Sequence, residues 1–166
     1  KILTKSTYDE RRYVINKERP GEYKKHDYVT GINEVGSPVE DVKNDVKNLV
    51  EEINSTTPKK TEEIIKTAVY THNVIEQIHP FADGNGRVGR ILIFKECLKN
   101  CIIPVIIEDT KKAEYYEYLN LAQHQAEYEK LNAFFKEEQQ EYEKLVKGFI
   151  VPVEKKNPKK VREKTH

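Results

Sequence analysis

The sequence predicts an all-α bundle of about six or more helices carrying one small β-hairpin. Apolar residues recur at helical spacing over several long stretches, and proline-bearing breaks separate those stretches. One segment near the amino terminus instead mixes Tyr, Val and Ile with three glycines, a pattern that suits a hairpin. The 166 residues fit one domain with a single core, expected over 1–150, followed by a charged tail over 151–166.

The elements follow in order. Residues 2–18, with Tyr8, Val14 and Ile15, read as a helix that stops at Pro20-Gly21. Residues 22–36 read as the hairpin. Ser37-Pro38-Val39-Glu40 is a helix start, with Ser37 as cap and Glu40 completing a capping box, ahead of Val42, Val46, Leu49, Val50 and Ile53. Ser55-Thr56-Thr57-Pro58 breaks that helix. The next carries Ile64, Ile65, Ala68, Val69, His72, Ile75 and Ile78, and must end near His79 because Pro80 disfavours α geometry in the residue before it. A glycine-bearing loop leads to a helix from about Arg87, with Ile91, Leu92, Phe94 and Leu98 as its apolar face. Cys101 to Ile107, broken by Pro104, reads as a buried connector. Asp109 or Thr110 caps a helix bearing Tyr115, Tyr116, Leu119 and Ala122, and Leu131 to Phe149 marks the last. The tail, 154–166, is rich in Lys, Arg and Glu and reads as disordered.

Charge and cysteine usage narrow the function classes. With 29 basic and 28 acidic residues, the net charge of +1 offers no global attraction to nucleic acid or to an acidic membrane. No apolar run approaches the ~18 residues of a membrane span, and no signal peptide is visible. The chain opens at Lys1 and contains no Met, so residue 1 is not expected to be the natural start. Cys97 and Cys101, one helical turn apart, read as two small core residues with neither a disulfide framework nor a zinc pattern, which points to a reducing, cytoplasmic setting.

The chemistry sits in His79-Pro80-Phe81-Ala82-Asp83-Gly84-Asn85-Gly86-Arg87-Val88-Gly89-Arg90. Gly84 and Gly86 let backbone approach a ligand closely. The helix that follows presents free N–H groups and the positive end of its dipole, which together make an anion site. Arg87 and Arg90, three apart on the first turn, share a face and can grip a polyphosphate. Asp83, the loop's one carboxylate, offers the hard oxygen that Mg²⁺ takes alongside phosphate oxygens. His79 at the other end of the turn is a natural base for a hydroxyl. Taken singly, each feature reads as an ordinary turn, a packed histidine or solvated arginines; their order between two helices describes phosphoryl or nucleotidyl transfer.

That stretch resembles the Fic signature, His-x-Phe-x-(Asp/Glu)-Gly-Asn-Gly-Arg-x-x-Arg, at every fixed position. The resemblance extends over about residues 1–148, through His72 and Ile78, Pro20-Gly21-Glu22-Tyr23, Pro104 and Tyr115-Tyr116. It implies a Fic-like helical bundle with a hairpin flap, acting as a protein adenylyltransferase on ATP and Mg²⁺. His79 would take the proton from a Ser, Thr or Tyr hydroxyl, whose oxygen would attack the α-phosphorus and expel pyrophosphate. Asp83 would hold Mg²⁺, and Gly84, Asn85 and Gly86 would line the anion hole. Arg87 would neutralise the leaving pyrophosphate and Arg90 would fix the γ-phosphate. Tyr116 and Gln123 would border the adenine, and the flap, especially Tyr28, Val29, Thr30 and Gly31, would lay the target peptide down by strand pairing.

Two departures from the family stand out. Lys24 follows the flap aromatic where similar proteins often have Arg. No Ser/Thr-x-x-x-Glu-Gly/Asn motif is found; Ser6 to Glu10 has the spacing, but Arg11 follows. An inhibitory segment outside these residues, or a partner chain of antitoxin type, would then supply it. A relative with Lys at the position of Gly86 phosphorylates, so Gly86 argues for AMP. The alternatives are transfer of UMP, GMP or phosphate, removal of AMP, or a non-catalytic nucleotide-binding module, which would need neither His79 nor Asp83. The partner expected is a protein substrate, including the chain itself, with homo-oligomers an open case.

Overall fold

The computed structural model describes residues 2–5, 17–27, 29–30 and 34–149, leaving the side chains of 29, 30, 34 and 35 aside. Within them the chain is all-α with one hairpin. The helices are α1 (Val42–Ser55), α2 (Thr61–Ile78), α3 (Asn85–Lys99), α4 (Lys112–Gln125) and α5 (Glu129–Phe149), and a short 3-10 turn, Asp109–Lys111, leads into α4. Strands β1 (Val29–Thr30) and β2 (Glu34–Val35) pair antiparallel, with Val29 opposite Val35 and Thr30 opposite Glu34. Of the helix expected over 2–18, residues 2–5 form a turn closed by Lys5 N–H on the Ile2 carbonyl, and 6–16 lie outside the described residues, as does the tail. No helix among the described residues is long and apolar enough to cross a membrane.

Helix α2 is the centre of the bundle because it is apolar on more than one face. Ile65, Ala68 and Val69 pack with Ile93 and Cys97 of α3, Tyr115, Leu119 and Ala122 of α4, and Leu131, Phe134 and Phe135 of α5. Ile75 and Ile78, at its far end, pack with Val42 and Leu49 of α1. Leu131 and Phe135 are wholly buried, which stabilises the fold by roughly 1.5–3 kcal/mol for each such side chain. Polar ties set the packing register. Asn73 Nδ2 donates to Tyr128 Oη at 2.8 Å, and Lys111 bridges buried Glu138 at 2.5 Å and Glu141 at 2.8 Å. Gln139 Nε2 donates to the Ile103 carbonyl, holding the connector before α4, where Val105 is buried.

Three local expectations are corrected. Helix α1 begins at Val42 rather than at Pro38. Ser37 and Glu40 form no capping box: the N–H of Ser37 goes instead to the Ile78 carbonyl at 3.1 Å, and Asp27 Oδ1 takes the N–H of Val39 at 3.2 Å. Tertiary bonds claimed the groups that a local cap would have used. The buried stripe of α3 is Gly89, Ile93 and Cys97, while Ile91 and Leu98 are exposed, because α3 meets α2 along the i, i+4 row that carries its small residues. Cys101 is exposed as well. Helix α3 ends at Lys99, and Cys101 turns left-handed at φ 56° instead of continuing the face of Cys97.

Candidate active site

The turn between α2 and α3 is built from both ends by backbone chemistry. His79 caps α2 in the left-handed region, φ 50° and ψ 58°, with its N–H still on the Ile75 carbonyl, and Pro80 follows, where a continued helix is sterically disfavoured. Gly84 caps α3 at φ 83°, the second left-handed residue of this turn. A Cβ there would also come within 2.1 Å of the Leu3 carbonyl oxygen, so the segment 2–5 lies against the start of α3. Between the two caps, buried Asn85 turns its side chain back on the loop and bonds both backbone groups of Phe81. Asn85 therefore faces any anion with its backbone alone.

His79 is half-buried. Burial pushes its imidazole below the ordinary range, and the charge of Lys24 adds to that, while the backbone carbonyl of Glu76 and the Asp83 carboxylate pull the other way. The ring is neutral at neutral pH, the state a base needs. The flap is fastened around it. Lys24 N–H donates to the Pro80 carbonyl at 2.8 Å, Ser37 N–H to the Ile78 carbonyl, and Gly36 is so close that a Cβ there would lie 2.6 Å from the Cβ of His79. Both feet of the hairpin thus stand beside the base. Lys24 itself is 2% exposed; its Nζ lies 3.8 Å from Asp27 and has no hydrogen-bond partner among the described residues.

Arg87 and Arg90 leave α3 in different company. Arg87 Nη2 donates to Asp83 Oδ1 at 3.3 Å and to the Lys5 carbonyl at 3.1 Å. Asp83 keeps a half-exposed carboxyl beside the loop, and no group of three or more His, Cys, Asp or Glu among the described residues could hold a metal by itself. One hard oxygen ligand fits Mg²⁺ that takes its remaining ligands from phosphate and water, and does not fit a metal held by protein alone. Arg90 and Glu76 reach the same backbone: a Cβ on Gly86 would meet Glu76 Oε1 at 3.1 Å and Arg90 Nη1 at 3.2 Å.

Behind Arg90 lies a buried polar pair. His72 Nε2 and Tyr115 Oη are 2.5 Å apart. Burial first, and then the charge of Arg90, pull His72 down to about 3, so it is neutral; burial holds the Tyr115 phenol well above its ordinary range. A neutral phenol and a neutral imidazole share one proton along that line. Gly89 makes room for the ring, because a Cβ there would lie 2.3 Å from His72 Nδ1.

A cavity of about 220 Å³ opens beside Arg90, lined by Ile107, Glu108, Asp109, Lys112, Tyr115 and Tyr116. Tyr116 is half-exposed there, its ring 5.0 Å from that of Tyr115. Gln123 does not line this cavity; its carbonyl accepts from Gln77 Nε2. Val29 and Thr30 form β1, whereas Tyr28 and Gly31 lie outside the described residues. A second, apolar groove of about 210 Å³ runs behind the loop between α1, α2 and α3, with Pro80, Phe81 and Val88 at its edge.

Sequence reasoning brought His79, Asp83, Gly84, Asn85, Gly86, Arg87 and Arg90 to this turn, and all seven are there. It missed Glu76, the burial of Lys24, and the His72–Tyr115 pair. One signal was available: His72, Glu76 and His79 are spaced four and three apart, which puts them on one face of α2 leading into the loop.

Comparison with known proteins places these features in context. The family model described as Fic/DOC family matches residues 2–96. Over 60 residues the chain is 43% identical to the protein adenylyltransferase Fic of Nematostella vectensis, a span covering 36% of this chain and 14% of that protein. Over 68 residues it is 40% identical to a probable protein adenylyltransferase of Aquifex aeolicus, covering 40% of this chain and 21% of the relative. The match therefore spans under a quarter of either relative's length. Among solved structures, Fic-1 from C. elegans superposes with a TM-score of 0.62 at 25% identity, over 78% of this chain and 38% of that one. A Fic domain containing signaling protein from Bacteroides thetaiotaomicron gives 0.53 at 25% identity, over 63% and 40%.

Proposed function

The chain belongs to the Fic/DOC family, and on that premise we propose that it is a protein adenylyltransferase that moves AMP from ATP to a hydroxyl of a protein. The observation that carries this reading is the pairing of a neutral, half-buried His79 with a helix N-terminus that bears Gly86, Arg87 and Arg90 one turn away. His79 takes the proton of the attacking Ser, Thr or Tyr hydroxyl as its oxygen bonds to the α-phosphorus. The bond to the bridging oxygen breaks, pyrophosphate leaves with that electron pair, and the proton stays on the imidazolium. The N–H groups at the start of α3 and the two guanidinium groups stabilise the charge that develops on the phosphates. Asp83 is the residue that would hold Mg²⁺, which supplies charge neutralisation along the polyphosphate.

AMP transfer is favoured over phosphate transfer by Gly86, which puts no side chain between the ends of Glu76 and Arg90 at the anion loop. The names of the relatives support the same choice. The hairpin, with both feet at His79, is suited to bring an extended target segment to the base by adding a strand. The experiment is labelling with α-³²P-ATP and with γ-³²P-ATP in the presence of Mg²⁺, on the chain itself and on protein extracts. Label from the α position alone, lost in His79→Ala by about 10²–10⁴-fold, is the expected result. Label from the γ position would mean phosphate transfer, and unchanged labelling in His79→Ala would remove the base.

A further inference from the structure

A carboxylate inside a phosphate pocket needs an explanation, and Glu76 is such a carboxylate. Its Oε1 and the Nη1 of Arg90 stand within 3.1 Å and 3.2 Å of one point, the place a Cβ would take on Gly86, so both line the same backbone of the anion loop. Arg90 is the cation set to receive the far end of a polyphosphate, and Glu76 is the anion that reaches the same stretch of loop. A phosphate chain brought to Arg90 would meet the Glu76 carboxylate at short range in a partly dry site, where like charges repel strongly.

We propose that Glu76, whose carboxylate shares the Gly86 backbone with Arg90, must take up a proton when a polyphosphate is brought to Arg90. This rests on the nucleotide reading of the site. Among the described residues, the charged and titratable groups that reach Glu76 are Arg90 from α3 and Tyr115 from α4, and His72 lies one turn earlier on α2. Tyr115 and His72 are both neutral across the working range, so neither can hold Glu76 ionised once phosphate engages Arg90. Burial already raises the Glu76 carboxyl to about 7 in spite of the pull of Arg90, so little more is required to neutralise it. Nucleotide binding is then coupled to one proton, and affinity falls as pH rises.

Calorimetry of Mg-ATP binding to the whole chain, in two buffers of different ionisation heat at pH 8, counts that proton. The wild-type chain takes up about one proton more than Glu76→Gln, and between pH 6.5 and 8.5 its affinity falls about tenfold relative to that variant. Equal proton counts in the two chains would overturn the proposal, and so would no uptake by the wild-type chain, a result that does not depend on the variant folding. A merely structural Glu76 would change affinity without changing the proton count. Inorganic tripolyphosphate with Mg²⁺ separates this inference from the wider reading. Proton-coupled binding of tripolyphosphate without binding of ATP keeps Glu76 and removes the nucleotide; no binding of either removes both.

Discussion

The carboxamide of Asn85 is bonded twice to the backbone of Phe81: Oδ1 accepts from its N–H at 2.9 Å and Nδ2 donates to its carbonyl at 2.8 Å. One buried side chain thus satisfies both polar groups of the residue at the bend and sets the shape of the loop that holds His79 and Asp83. Asn85→Ala leaves both groups of Phe81 without these partners and is expected to cost about 1–3 kcal/mol of stability, with a larger loss of transfer than that destabilisation explains. Asn85→Asp keeps the acceptor, loses the donor, and should fall between. Urea melts read beside labelling would show it; an alanine variant with native activity would mean the loop holds its shape without the clamp.

Gly89 occupies a position that the signature leaves free, yet its neighbour allows no side chain. A methyl group there would press on the ring of His72. Gly89→Ala is expected to destabilise the chain by about 1–3 kcal/mol through overpacking. Combining it with His72→Ala should return part of that cost, since the two sites share one clash. Strictly additive losses in the double variant would show that the ring and the helix do not compete for space.

His72 and Glu76 act on stability in opposite directions. His72 sits at about 3 when folded against an ordinary value of 6.5, so below pH 6.5 the unfolded chain binds a proton that the folded chain does not, and stability falls with falling pH down to about 3. Glu76 sits at about 7 against 4.5, so the folded chain binds the extra proton, and stability falls as pH rises from 4.5 to 7. Each slope is at most about 1.4 kcal/mol per pH unit, and between 4.5 and 6.5 they oppose one another. Relative to the wild-type chain, Glu76→Gln should therefore gain stability with rising pH in that window, and His72→Gln should lose it. Parallel curves for all three chains would contradict both assignments.

Lys24 is expected to set the acid limb of the reaction. Burial and then the Lys24 charge hold the His79 imidazole low, so activity should persist below pH 6.5, where an unperturbed histidine would already be protonated. Lys24→Met removes the charge and keeps the bulk, and the acid limb of kcat/KM should move up toward 6.5. A limb that stays in place would show that burial alone governs the base.

The catalytic turn was legible in the sequence because its determinants are local. Pro80 ends α2, Gly84 supplies the left-handed cap, and the arginines fall on the first turn of α3 whatever the rest of the chain does, so residue order alone placed base, carboxylate, glycines and arginines together. Helix periods were legible for the same reason. The start of α1 and the buried face of α3 were not, because a distant group decided each: the Ile78 carbonyl took the Ser37 N–H, and α2 chose which row of α3 to cover; nor was the exposure of Cys101, which follows from its own left-handed turn past the end of α3. The setting of the site was settled at that same level. Glu76 comes to the same loop backbone as Arg90, Tyr115 meets His72, Lys24 is buried near His79, and Leu3 and Lys5 reach the start of α3, all through the approach of separate segments. The sequence by itself determined which groups can do the chemistry; only the packing of helices and flap decided their charge states and their neighbours, because burial and the approach of opposite charges are properties of where the chain ends up rather than of its order.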